Sequence, residues 1–382
     1  MQTIPLVDVR AEYEPLIPRL EAAFREVLES KRFIRGPHYW AFQEEAAAYL
    51  GVKRAIGVAN GTDALVLALD ALGVGPGDEV ICPAFTFYAT AESVVRRGAT
   101  PVFADVDPVT LNLDLEDTAA KVTDRTRAII PVHLFGRLLD VRPFVELEVP
   151  VLEDAAQAFG APKVAQHGTI STFSFYPTKN LFCLGDGGLV TTNDEELAER
   201  VQLLSFHGSR DKSAFDLVGY NSRLDELQAA FLRIFLPELA GWNEGRRAAA
   251  ARYAELGLGE LVELPQDEPA HVYHLFVCRS RERETIRTAL AEAGIASATY
   301  YTTPLHLQPS LRYLGYEPGS LPATEQAGAE NFSLPLWPGI PIEAQERVVD
   351  VVRSAVPSTG VGSTEPASSA GAGFAGTGAK KA

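Results

Sequence analysis

Basic stretches, long apolar runs and paired cysteines are all missing from this chain, and each absence closes off a class of function. Lys and Arg total 34 against 50 Asp and Glu, a formal charge of −16. No Lys/Arg-rich stretch stands out against that balance, so no nucleic-acid partner is expected. No apolar run approaches the ~20 residues that cross a bilayer, so no membrane span is expected. The opening MQTIPLVDVR lacks the basic start, apolar middle and small-residue cleavage site of a secretory signal, and a cytoplasmic protein is the expectation. The 3 cysteines, Cys82, Cys183 and Cys278, are odd in number and far apart. They fit neither a disulfide framework nor a zinc site, and no metal is assigned. No G-x-G-x-x-G follows the first strand-like run, which argues against a nicotinamide-dependent oxidoreductase. No internal repeat is visible.

What is present is the material of a two-domain α/β protein. The chain has 382 residues, 46% of them hydrophobic, enough for more than one core. From about Lys53 to Thr192, short apolar runs alternate with helical patterns: RAIGVA, EVICP, TPVFADV, RAIIPVHLF, VPVLED, TFSFYP and GLVTT are the strand-like runs. Continuous β-branched runs between helices mean strands buried on both faces, hence a mostly parallel sheet flanked by helices. A helix-rich stretch, SRLDELQAAFLRIFLPELAGWNEGRRAAAARYAEL, then leads to a smaller α+β domain with HVYHLFVCRS as a strand and RETIRTALAEAG as its helix. The expected division is a large domain over residues 1–256, a small C-terminal domain over 257–356, and a Gly/Ala/Ser-rich tail over 357–382. The tail carries too little apolar bulk to offset the entropy of ordering and is expected to be disordered.

In such sheets ligands sit at the carboxyl ends of the strands, and four features lie there. NGTDA (60–64) is a strand-to-helix junction where Gly61 admits a close ligand and the amides of Thr62 and Asp63 open a helix, a setting that suits a phosphate. An Asn-Gly turn that merely caps a helix looks the same. In VLEDAAQAFG, Asp154 ends a buried strand, either as a helix N-cap or as a carboxylate facing a protonated pyridine nitrogen. In FSFYPTKN, Ser174 lies on a strand and Lys179 just past its end, where desolvation lowers an amine's pKa and lets it attack an aldehyde. In CPAFTFYAT, Phe85 and Phe87 are both placed to be core or to stack on a flat cofactor. A phosphate cradle, an aromatic plate, an acidic partner for a ring nitrogen and a reactive lysine together are what pyridoxal phosphate needs.

Through NGTDAL, PAFTFYATA, PVFADVDP, PVHLFG, EDAAQAFGA, FSFYPTKN, GDGG, GYNSRLDELQAA, TTPLH and SLPLWP, the chain resembles the sugar-nucleotide aminotransferases of the DegT/StrS type, from about Ile4 to Val356. The resemblance implies the type I fold of aspartate aminotransferase, pyridoxal 5′-phosphate as cofactor, L-glutamate as amino donor and a nucleotide-linked keto-sugar as acceptor. It makes Lys179 the catalytic, Schiff-base lysine and pairs Asp154 with the pyridine nitrogen. Gln157 approaches the ring hydroxyl, and Phe87 stacks on the ring. Gly61, Thr62, Asp63 and Ser174 serve the phosphate. Asn221 reaches the phosphate of a neighbouring subunit's cofactor, which implies a homodimer with composite sites. Tyr301 and His306 match a segment near the substrate.

Three departures stand out: the short APKVAQHGTIST between Gly160 and Phe173, Thr302 after the tyrosine, and Phe182 in FCLGDGG. Each is positioned to reshape the sugar or nucleotide pocket. The GDGG turn with Asp186 resembles the branch that aminates carbon 3 of dTDP-linked 6-deoxy-3-keto-hexoses, with 4-keto and UDP-linked sugars as alternatives. A sugar dehydratase of this fold resembles the chain but has histidine where Lys179 stands, and a non-catalytic regulatory relative is the remaining rival.

Overall fold

The computed structural model describes residues 3–356, and the expected tail lies outside the described residues. Seven of the apolar runs form strands: β1 (Arg54–Val58), β2 (Glu79–Pro83), β3 (Thr100–Ala104), β4 (Thr126–Ile129), β5 (Leu152–Asp154), β6 (Ile170–Ser174) and β7 (Gly188–Thr192). They pair as β3-β2-β4 and β5-β6-β7-β1. Parallel bridges between Ile129 and Val151 and between Val132 and Asp154 join the two halves into one sheet. Every pairing is parallel except those of β7, which runs antiparallel to β1 and β6. All five residues of β7 are buried, as a strand covered on both faces requires. The helix Gly61–Ala71 crosses back over the sheet and buries Ala64 to Ala71 without interruption, with the one charge in that run, Asp70, paired with Arg97 at 2.7 Å.

A second body is built on β8 (Phe276–Arg279) and β9 (Asn331–Leu334), an antiparallel pair. The helices Arg283–Glu292 and Ile342–Ala355 close over a core that includes Tyr253, Phe276, Phe332, Val348 and Val352. The start of the chain runs along this body rather than the first: Ile4 bridges Ile295, and the Leu336 amide donates to the Leu6 carbonyl at 3.0 Å. The bodies are linked by the helices Glu226–Phe235 and Leu239–Glu255. Asp225 caps the first through the Gln228 amide (2.8 Å), and a 3₁₀ turn holding Pro237 separates the two. A fully buried ion pair, Arg246 Nη2 to Glu12 Oε1 at 2.6 Å, ties the second linker helix to the N-terminal segment.

The strand expected over HVYHLFVCRS is shorter than its pattern. Val272 to Leu275 are drawn off by bonds to the other body, from the Val272 amide to Gly136 O (2.9 Å) and from the Leu275 amide to Phe135 O (3.4 Å). Regular pairing begins only at Phe276.

Candidate active site

The carboxyl ends of the parallel strands converge on one cavity of about 810 Å³. Register explains how residues far apart in sequence meet there. Gly188 on β7 stands opposite both Val58 at the end of β1 and Ser174 at the end of β6. A side chain on Gly188 would press within 2.4 Å of the Asn60 carbonyl, so only glycine lets the turn after β1 close against β7. Gly61 then lies so close to Ser174 that an added Cβ would come within 2.7 Å of the serine Cβ. The helix N-terminus and the Ser174 hydroxyl thus share one corner of the cavity.

That corner differs in one respect from the sequence reading. The Asn60 side chain caps the helix and accepts the Asp63 amide at 2.8 Å, so this amide is already engaged, and Asp63 is not among the cavity-lining residues. Among the described hydrogen bonds, none uses the amides of Gly61 and Thr62, which helix geometry leaves without intrahelical acceptors. The donors that this corner leaves open to the cavity are the amides of Gly61 and Thr62 and the Ser174 hydroxyl.

Asp154 ends β5 at the floor of the cavity. Its carboxylate accepts the Thr90 hydroxyl at 2.9 Å and the Ala156 amide at 3.2 Å. Burial pushes its pKa above the ordinary carboxylate value, while Thr90, Ala156 and the Lys179 charge oppose that shift. A desolvated acid so placed is suited to a cationic partner. Lys179 follows β6 in a turn closed by its own amide to Tyr176 O (2.8 Å). Burial brings its amine down to about 8, against the opposing pull of Asp154. Its neighbour Asn180 anchors the turn from behind, donating to Asn243 Oδ1 (2.7 Å) and to the Val272 carbonyl (2.8 Å). Gln157 is held by the Phe135 amide (2.6 Å) and donates to the Tyr301 hydroxyl at 3.3 Å.

The two candidate aromatic plates separate by burial. Phe85 is 1% exposed and packs in the core, whereas Phe87 is 56% exposed and lines the cavity, its ring centroid 6.0 Å from that of Tyr301. Asp186 also lines the cavity, and Asn221 does not. His306 stands apart from the cavity too. It is buried with Nε2 3.2 Å from Glu325 and its ring against Tyr316. Of the three departures, none reaches the cavity lining. Phe182 turns into the core between Phe235 and Trp242, at centroid distances of 4.9 and 5.8 Å. The loop after Gly160 buries Val164 and Ala165, and Glu153 pins it through the amides of Ala165 (3.2 Å) and Gly168 (2.7 Å). Several lining residues carried no signal in the sequence, Leu6, Val7, Tyr300 and His274 among them. The first two arrive with the N-terminal segment and the others with the second body, so only long-range packing reveals them.

The donor set fits pyridoxal phosphate. Unengaged helix-N-terminal amides and a hydroxyl suit a dianionic phosphate, a buried acid suits a protonated ring nitrogen, and a lysine of lowered pKa suits an aldehyde. Among the described residues, no group of His, Cys, Asp or Glu is placed to hold a metal, and no helix is long and apolar enough to cross a membrane.

Known proteins resemble the chain over most of its length. The chain is 46% identical to a pleiotropic regulatory protein of Geobacillus stearothermophilus, over 91% of this chain and 97% of that protein. It is 44% identical to a UDP-N-acetyl-3-dehydro-alpha-D-glucosamine 3-aminotransferase of Acidithiobacillus ferrooxidans (92% and 97%). It is 43% identical to the dTDP-3-amino-3,4,6-trideoxy-alpha-D-glucose transaminase of Streptomyces venezuelae (92% and 95%). Among solved structures, S. venezuelae DesV in complex with a ketimine intermediate superposes with a TM-score of 0.88 at 42% identity, covering 93% of this chain and 98% of that one. The Bacillus subtilis protein ntda with bound cofactor PMP gives 0.88 at 33% identity (93% and 85%). The DegT/DnrJ/EryC1/StrS aminotransferase family matches residues 17–353, and the chain belongs to that family.

Proposed function

We propose that this protein moves an amino group from L-glutamate to carbon 3 of a dTDP-linked 3-keto-6-deoxyhexose, in a cytoplasmic homodimer whose two sites are shared between subunits. The observation that carries the reading is the meeting of Lys179, Asp154 and the Gly61–Thr62–Ser174 corner in one cavity. The carbon-3 assignment rests on Asp186 in that cavity and on two relatives whose names specify 3-amino sugars, one dTDP-linked and one UDP-linked.

When bound, pyridoxal 5′-phosphate supplies an electron sink for the pair left by a broken C–H bond. The residues of the chain do the rest. Gly61, Thr62 and Ser174 would hold the phosphate, Asp154 would keep a proton on the ring nitrogen, Gln157 would serve the ring hydroxyl, and Phe87 would cover the ring. The Lys179 Nζ takes the proton from the α-carbon of glutamate in the first half-reaction. In the second it delivers a proton to the sugar carbon, and a free amine whose pKa lies near 8 is suited to both roles.

The shared site has its own support. Lys179 is the only cation among the described residues lining the cavity, too few for a nucleoside diphosphate beside a cofactor phosphate. Arg35, Lys212 and Arg223 gather over the Phe206 ring at 4.4, 5.0 and 5.5 Å, and Phe206 bridges Asn221. A second copy could receive this patch. Exposed apolar residues Phe24, Leu28, Phe33, Ile34 and Leu184 surround the helix Glu226–Phe235, a surface that suits an isologous contact.

One relative is named a pleiotropic regulatory protein, and a regulatory role is the second reading. L-glutamate separates the two. The cofactor-loaded enzyme should lose its visible absorption band on adding glutamate and release 2-oxoglutarate. A band indifferent to glutamate and to other amino donors would favour the regulatory reading.

A further inference from the structure

Every polar group expected of the cofactor already has a counterpart: phosphate with the Gly61 corner, ring nitrogen with Asp154, ring hydroxyl with Gln157, aldehyde with Lys179. Among the polar side chains left over in the cavity, His274 is the one with a buried polar atom that lacks a partner. It is 5% exposed, and the atom is Nδ1. None of the described side-chain hydrogen bonds involves its imidazole. The buried His133 is different: it accepts the Leu139 amide at Nδ1 (3.1 Å) and meets Glu153 through Nε2 (2.9 Å), as a structural histidine should.

The position of His274 is also fixed from several sides. Its segment is bonded to Gly136 and Phe135 on one strand connection and to Asn180, next to Lys179, on another. A Cβ on Gly136 would come within 2.8 Å of the His274 amide nitrogen, so this glycine is what lets the segment approach. An imidazole that lines a ligand cavity, makes no described side-chain hydrogen bond and sits on a segment fixed from both sides is preorganised for a ligand.

We propose that His274 is a substrate-binding residue that hydrogen-bonds a hydroxyl of the keto-sugar. The proposal rests on the aminotransferase function above. The choice of a hydroxyl follows from the state of the ring. Burial, together with the charges of Lys179 and Arg246, holds the imidazole well below its ordinary pKa. A neutral imidazole offers one N–H and one lone pair, which match the acceptor and donor of an alcohol. A donor carboxylate has only lone pairs and would ask for a cation.

The test is His274→Phe and His274→Gln in the loaded enzyme, with three readouts: thermal midpoint, bleaching rate with glutamate alone, and steady-state kinetics with the keto-sugar. Phe removes an unsatisfied polar atom at similar volume, so the midpoint should hold or rise. The kcat/KM for the sugar should fall about 10- to 100-fold, mainly through KM, since the sugar hydroxyl would be buried unpaired. Bleaching by glutamate should change less than about threefold, and Gln should restore part of the sugar KM. A His274→Phe enzyme with unchanged sugar KM overturns the role. So does a variant that melts early and loses both half-reactions alike, because that is a structural histidine. A wild-type enzyme inert to glutamate overturns the aminotransferase reading itself, and with it the role of His274.

Discussion

Asp154 and Lys179 act on each other in opposite senses, and replacing Asp154 with Asn should separate two consequences that a simple loss of function would not. Burial lowers the Lys179 pKa from 10.5 to about 8, while the Asp154 charge raises it. At pH 7 a pKa of about 8 leaves about 9% of the amine unprotonated, against about 0.03% for an ordinary lysine, a gain of about 300-fold in nucleophile. Capture of added pyridoxal phosphate by the cofactor-free protein should therefore accelerate with pH and level off just above pH 8. Removing the negative charge takes away the one influence that raises the amine, so its pKa falls further. The Asp154→Asn plateau should shift to lower pH, and capture at pH 7 should speed by up to about tenfold, the most that the remaining protonated fraction allows. Turnover should move the other way, by orders of magnitude, because a neutral amide cannot hold the ring proton. The assay is stopped-flow growth of the visible band from pH 6 to 10 under saturating cofactor, beside steady-state rates. A wild-type plateau reached only above pH 10, or an Asp154→Asn plateau shifted upward, would refute the electrostatic reasoning.

Lys179→Ala should abolish turnover and the visible band while leaving the far-UV circular dichroism unchanged; near-normal activity would remove the lysine from the chemistry. Gly61→Ala places a Cβ 2.7 Å from that of Ser174, an overpacking of about 1–3 kcal/mol. It should lower the thermal midpoint and weaken cofactor binding at least tenfold, as read by equilibrium titration. If sites are shared through Asn221, mixing Lys179→Ala and Asn221→Asp subunits should regenerate about a quarter of the wild-type sites, since half the dimers are mixed and each mixed dimer has one intact site. Failure to regain activity on remixing would argue that each subunit holds its own site. Arg246→Met leaves Glu12 buried without its partner and should cost about 3–5 kcal/mol in chemical denaturation, whereas Glu12→Leu with Arg246→Met should recover most of it.

The parts of the site that were legible in the sequence lie beside strand ends, where local pattern and chemistry coincide. Asp154 closes a buried run, Lys179 follows another, and EVICP and GLVTT match β2 and β7 residue for residue. What could not be read depends on partners distant in sequence. Phe85 and Phe87 sit on a loop with no periodicity, so nothing local told which would be core. Phe182 reads as a pocket residue because it departs from the family pattern in FCLGDGG, but its partners are Phe235 and Trp242 on the linker helices. His274 was hidden in an apolar run that reads as a strand and is interrupted by contacts with Phe135 and Gly136. The engaged amide of Asp63 is a different case. Asn at an N-cap accepts from the third helical amide, and Asn60 with Asp63 has that spacing. The capping rule is sufficient to find it.

The most direct measurement incubates the loaded enzyme with L-glutamate and, separately, with dTDP- and UDP-linked 3-keto and 4-keto hexoses, then locates the new amine by NMR. The expected products are 2-oxoglutarate and an amine on carbon 3 of the dTDP-linked 6-deoxy sugar, with Lys179→Ala producing neither. Turnover of the 4-keto sugars alone would contradict the regiochemistry. Absence of any aminated sugar across the panel, with the visible band intact in glutamate, would contradict the proposed activity.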